Sequence, residues 1–133
     1  MEIKETYLKN EGVIQIEYVG VYPTESFDTK ELFGIFYKAI EKHDTKKVIL
    51  DFTQMKYNQT ALKISLIPEE LKAEGLDNKT TAIVCEKDSE TAEKFRLTVA
   101  STETQVFLGK LNTKVKLFFE MDTALDWLKN VSN

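Results

Sequence analysis

The chain opens with two short runs of alternating apolar and polar residues. Glu2 to Leu8 alternates loosely, Lys9-Asn10-Glu11-Gly12 supplies turn chemistry, and Val13 to Val19 carries the second run. Two such runs joined by a four-residue loop predict a β-hairpin. Pro23, which has no amide to donate to a ladder, ends the second strand. At Asp28 the period changes. Asp28 with Glu31 three positions on makes a capping-box-like start, and Leu32, Ile35, Phe36, Ala39 and Ile40 recur at helical spacing to His43.

The central segment, VILDFTQMKYNQTAL from Val48 to Leu62, is the most informative. A continuous apolar run flanked by helical patterns predicts a strand buried on both faces, here Lys47 to Phe52. Asp51 follows the run directly, and Tyr57, Asn58 and Gln59 form a polar turn. Beyond the carboxyl ends of parallel strands lies the crevice where α/β sheets usually bind, so this turn marks the expected working surface. A second helix is predicted through Ala61, Leu62, Ile64, Ile67 and Leu71, stopping at Gly75 and kinked or broken at Pro68. Leu66 falls outside its apolar stripe, as on a helix that is deeply covered or offers a surface to a partner.

Thr81 to Cys85 predicts another short strand, and Asp88 or Ser89 caps a helix carrying Ala92, Phe95 and Val99. That helix continues, with a bend near Ser101, through Val106, Phe107 and Leu111. Val115 to Phe119 is the last strand, and Asp122 caps a final helix with Ala124, Leu125, Leu128 and Val131 inward. The order β-β-α-β-α-β-α-β-α calls for an α/β fold with a mixed, mostly parallel sheet of five strands, an N-terminal hairpin and four helices. No linker or repeat interrupts it, so residues 1–133 read as a single domain.

Composition narrows the function classes. At 133 residues with 42% apolar content, the chain can bury a core without disulfide or metal staples. A formal charge of −4 disfavours non-specific nucleic-acid binding, which depends on clustered Lys and Arg. No apolar run is long enough for a membrane span. MEIKETYLKN has no apolar stretch of signal-peptide type, and one cysteine makes no internal disulfide, so a cytoplasmic protein is expected. The five glycines are scattered, leaving no phosphate-binding loop, and no metal-spaced Cys/His cluster occurs. Neither an enzyme nor a cofactor is therefore expected.

Two segments, VILDFTQMKYNQTAL and VKLFFEMDTALDWLKN, together with the element order, resemble the STAS superfamily and its SpoIIAA-like branch, also described as STAS/SEC14-like. The resemblance implies a SpoIIAA-like fold and a non-enzymatic regulatory or protein-interaction domain. Its surface would be Asp51, Tyr57, Asn58, Gln59, Thr60, Leu62 and Leu66. Anti-sigma-factor antagonists carry an Asp-Ser-Ser/Thr-Gly-type turn that a partner kinase phosphorylates. Here the turn is shorter, without the Asp or the Gly, so the phospho-acceptor motif is not intact. Thr60 is the hydroxyl left to stand in for the acceptor, and its plainer role is a helix N-cap. The SEC14-like side implies an alternative, a module for a small apolar ligand or lipid in a cavity lined by Phe33, Phe36, Ile64 and Phe118.

Other candidates have bland readings beside the functional ones. His43, the single histidine, suits the negative end of a helix. Cys85 is placed before a capped helix, where a thiol can be activated, but it continues an apolar strand. Asp51, Glu86 and Asp88 would need to converge in a cleft to do acid–base work. Trp127, Phe118 and Phe119 read as core before ligand lining. A protein partner or self-association is expected, with a homodimer through the hairpin edge, although Lys4, Glu5 and Lys9 charge that edge.

Overall fold

A computed structural model describes residues 2–22, 29–57 and 78–131. The strands are β1 (Glu2–Leu8), β2 (Val13–Tyr22), β3 (Lys47–Tyr57), β4 (Thr80–Val84) and β5 (Lys114–Phe118). The helices are α1 (Thr29–His43), α2 (Glu90–Phe107) and α3 (Met121–Asn130). The expected helix through residues 61–75, with its Pro68 break, lies outside the described residues, as do Pro23 and the Asp28 cap.

The sheet is mixed, with its strands side by side in chain order, β1-β2-β3-β4-β5. β1 runs antiparallel to β2 and every other pair is parallel. The hairpin loop closes through the Glu11 and Gly12 amides, which donate to the Leu8 carbonyl at 3.1 and 2.9 Å. Gly12 has φ +66°, a left-handed conformation that favours glycine. Crossovers of one hand that always step in the same direction put their helices on one face. Ala39 and Ile40 of α1 and Ala92 and Phe95 of α2 accordingly share one core with Ile14, Ile16, Val48, Leu50 and Ile83. α3, which follows the last strand, covers the opposite face. Its Ala124 and Leu128 pack with Val13, Ile49, Ala82 and Val84.

β3 runs five residues past the expected strand, and a bulge explains why. Glu17 pairs with Asp51 but Val19 pairs with Gln54, so Tyr18 faces two residues of β3. The extra residue shifts the alternation by one, which puts both Phe52 and Met55 in the larger core and turns Gln54 out. An alternation pattern read along the sequence therefore breaks at Thr53. The Asp51 carboxylate sustains the break by accepting from the Thr53 amide at 2.9 Å and from its hydroxyl at 2.7 Å. Around this point Tyr18 stacks on Phe52 (centroids 5.0 Å) and Phe52 on Phe95 (4.4 Å), fastening α2 to the sheet.

Helix ends differ in detail. Ser89, not Asp88, caps α2, accepting from the Ala92 amide at 3.0 Å. α2 is one continuous helix that stops at Phe107 rather than reaching Leu111, and Gly109 at φ +76° turns the chain away. The N-cap of α3 is Glu120, whose carbonyl accepts from the Thr123 hydroxyl. Asp122 is instead in the first turn, where its charge complements the helix dipole.

Asp51→Ala removes the acceptor from a buried bulge and should cost about 2 kcal/mol, the scale of a charge-assisted hydrogen bond left unmade. Asp51→Asn, which retains a side-chain carbonyl, should cost clearly less. Urea denaturation of the two variants checks this, and equal losses would contradict the capping role.

Candidate interaction surface

The expected surface is only partly in view. Asp51 is not at the end of its strand. It lies mid-β3 and is buried, level with Val84 at the end of β4. Tyr57 is the last residue of β3. Asn58, Gln59, Thr60, Leu62 and Leu66 lie outside the described residues. So does Ile64, and so do the side chains of Phe33 and Phe36, from the expected ligand cavity. Its fourth member, Phe118, packs against Trp127 in the smaller core, with ring centroids 5.4 Å apart.

The acid–base candidates do not form one environment. Asp51 is buried, whereas Glu86 and Asp88 are exposed, and Asp88 adopts φ +60° in the turn before α2. Among the described residues no group of three His, Cys, Asp or Glu side chains is arranged to hold a metal ion. Cys85 is fully buried, and desolvation, with the nearby Asp51 charge, pushes its thiol up to about 12. The thiolate that a nucleophile requires is thus suppressed at neutral pH. His43 is a joint of the hairpin: its Nε2 is 2.9 Å from Glu5 Oε1 and its ring stacks on Tyr7 at 4.7 Å. No helix of the described residues is long and apolar enough to cross a membrane.

β5 pairs with β4 on one side, and no described strand pairs with its other side. A depression of about 420 Å³ runs along this edge, lined by Thr102, Glu103 and Val106 of α2, Val115 and Lys116 of β5, and Trp127 of α3. Register sorts the strand's side chains. Lys114 and Lys116 lie level with Thr80 and Ala82, and Ala82 belongs to the smaller core, so both lysines face the α3 side. Val115 and Leu117 face the larger core beneath α2. Lys116 Nζ lies 5.4 Å from the Phe118 ring centroid, close to the Phe118–Trp127 pair.

Beside the depression the end of α2 carries uncovered apolar area. Phe107 is 89% exposed, with the exposed Val106 and Leu108 on either side. Leu97, 71% exposed, stands ten positions earlier on the same stripe as the exposed Ala100 and Thr104. Sequence reasoning assigned Val106 and Phe107 to a buried stripe because 3.6-residue spacing continues to Leu111. A signal for the edge was nevertheless present: KVKLF alternates lysine with apolar residues, as edge strands commonly do.

A second depression of about 200 Å³ lies at the amino ends of β3, β4 and β5, lined by Lys46, Lys79 and Lys114 with Asn78 and Asn112. Asn112 donates through Nδ2 to Asn78 Oδ1 at 2.7 Å, and the Asn78 amide donates to the Asn112 carbonyl at 2.6 Å. This is the end of the sheet where α1 and α2 terminate, and lysines there complement helix carbonyl ends.

Comparison with known protein families, with curated proteins and with solved structures gave no match.

Under native conditions at pH 8, Cys85 should resist iodoacetamide and react only after unfolding, as mass spectrometry would record. The unfolded thiol ionises near 9.0 and the folded one near 12. Stability should accordingly fall as pH rises from about 9 toward about 12, because only the unfolded state gives up the proton there. Rapid labelling of the folded chain would contradict this burial.

Proposed function

We propose that this chain is a non-enzymatic protein-interaction domain of regulatory type, and that it engages its partner through the C-terminal end of α2 beside the β5 edge. The observation that carries the reading is the exposure of Phe107, flanked by Val106 and Leu108 and extended up the helix by Leu97. Burying a large aromatic side chain is worth about 1.5–3 kcal/mol, which the uncovered chain forgoes and a partner would recover. Clustered exposed apolar residues on an otherwise ordinary surface mark interaction sites. The buried, protonated Cys85 and the separated carboxylates supply no competing chemistry. The SpoIIAA-like resemblance of VILDFTQMKYNQTAL and VKLFFEMDTALDWLKN points to the same class of activity.

Phe107→Ser and Leu97→Ser should leave stability within about 0.5 kcal/mol of the parent chain, as surface changes do. Affinity capture from the native cells should lose at least one protein that the parent and a Glu2→Ser control both retain. Identical captured sets for all four chains, with unchanged stability, would overturn this surface.

A further inference from the structure

β5 offers backbone hydrogen-bonding groups as well as side chains. The Lys114 amide donates to the Lys79 carbonyl at 3.2 Å, and the Phe118 carbonyl accepts from the Cys85 amide at 3.0 Å, so these residues turn their polar backbone toward β4. Both groups of a strand residue point to one side and alternate along the strand. The N–H and C=O of Val115 and Leu117 therefore point away from β4, toward the open edge. Val106 and Val115, with Thr102 and Glu103, border the slot on the α2 side, and Trp127, Lys114 and Lys116 border the other. The slot thus has backbone donors and acceptors along its floor, one wall that pairs valines with the Glu103 carboxylate, and one basic, aromatic wall.

We propose that this slot takes an extended segment of a partner protein as a sixth strand on β5, and that the segment alternates apolar with acidic side chains. The inference rests on the protein-interaction reading and names the partner's chemistry. Side chains of an added strand point alternately to the two faces. Those on the α2 side meet Val106 and Val115, and those on the α3 side meet Lys114 and Lys116. Apolar residues suit the first set, where Glu103 would repel a carboxylate, and carboxylates suit the second, because opposite charges across strands attract and like charges repel. The same rule argues against a second copy of β5 as the occupant. Antiparallel pairing about its middle residue would put Lys116 directly opposite Lys116. Lysines on an edge strand ordinarily keep other strands away. Here they exclude neutral and basic strands while selecting an acidic one, a use of charge for discrimination rather than simple avoidance.

Trp127, the single tryptophan of the chain, borders the slot and reports occupancy by its fluorescence. Three seven-residue peptides are titrated into the intact protein: alternating valine and glutamate, alternating valine and lysine, and the glutamate peptide with its backbone amides methylated. The glutamate peptide should shift Trp127 emission and bind at least tenfold more tightly than the lysine peptide. Amide methylation, which leaves the charge in place but removes strand donors, should abolish the difference. In Lys114→Glu/Lys116→Glu, both at exposed positions and with folding checked by circular dichroism, the preference should invert. Equal binding of all three peptides, no binding, or an unchanged preference in the double variant would overturn strand addition. If Phe107→Ser still loses its partner in that event, the interaction surface stands and only the strand reading falls. If the peptides behave as expected while Phe107→Ser loses nothing, the slot stands and the helical patch falls.

Discussion

A sheet whose strands lie side by side in chain order ends in two edge strands that no described strand covers, and most of what the described residues present to their surroundings follows from that constraint. Each crossover steps one strand outward, so α1 and α2 gather on one face and leave the other to α3. Among the described residues, neither layer folds over an end of the sheet to cover it. The two edges are treated differently. On β1, Lys4 approaches Glu17 of β2 and Glu5 approaches Lys42, while the His43 ring nitrogen lies 2.9 Å from Glu5, so the hairpin is tied within itself and to the end of α1. On β5 the lysines face the α3 side beside Trp127, and Val106 of α2 borders the same depression from the other face.

The interior rests on a smaller device. Asp51 occupies the register step between β2 and β3 and accepts from both the amide and the hydroxyl of Thr53, which lets the strand change the face it buries. Phe52 and Met55 then enter the same core, and the stack of Tyr18, Phe52 and Phe95 anchors α2. The same helix ends at the exposed Phe107 and Leu108. Packing at the bulge and exposure at the far end are thus two ends of one rigid element. An aromatic cluster deep in the core fixes where the outer apolar surface stands.

Much of this was legible in the sequence because it depends on local periodicity. The hairpin, the order of the described elements and the mixed sheet follow from alternation, helical spacing and capping residues such as Ser89. What escaped depends on tertiary partners. The extension of β3 was hidden because a bulge inverts alternation, and nothing local distinguishes Thr53-Gln54 from the end of a strand. Asp51 read as a residue at the strand end facing a crevice, whereas it is a buried internal acceptor. Val106 and Phe107 continue a helical stripe that looks buried until the chain turns away at Gly109. Of the expected interaction residues, those from Asn58 to Leu66 lie outside the described residues, while the surface at β5 and the end of α2 is built from side chains whose role only the sheet order makes visible.

The most direct test of the account is amide hydrogen exchange at β5 in the free protein, read residue by residue. Lys116 and Phe118, whose amides point toward β4, should be protected. Val115 and Leu117 should exchange far faster, as donors on an uncovered edge. Uniform protection of all four amides would mean that the edge is already covered, and would contradict the claim that it awaits a partner.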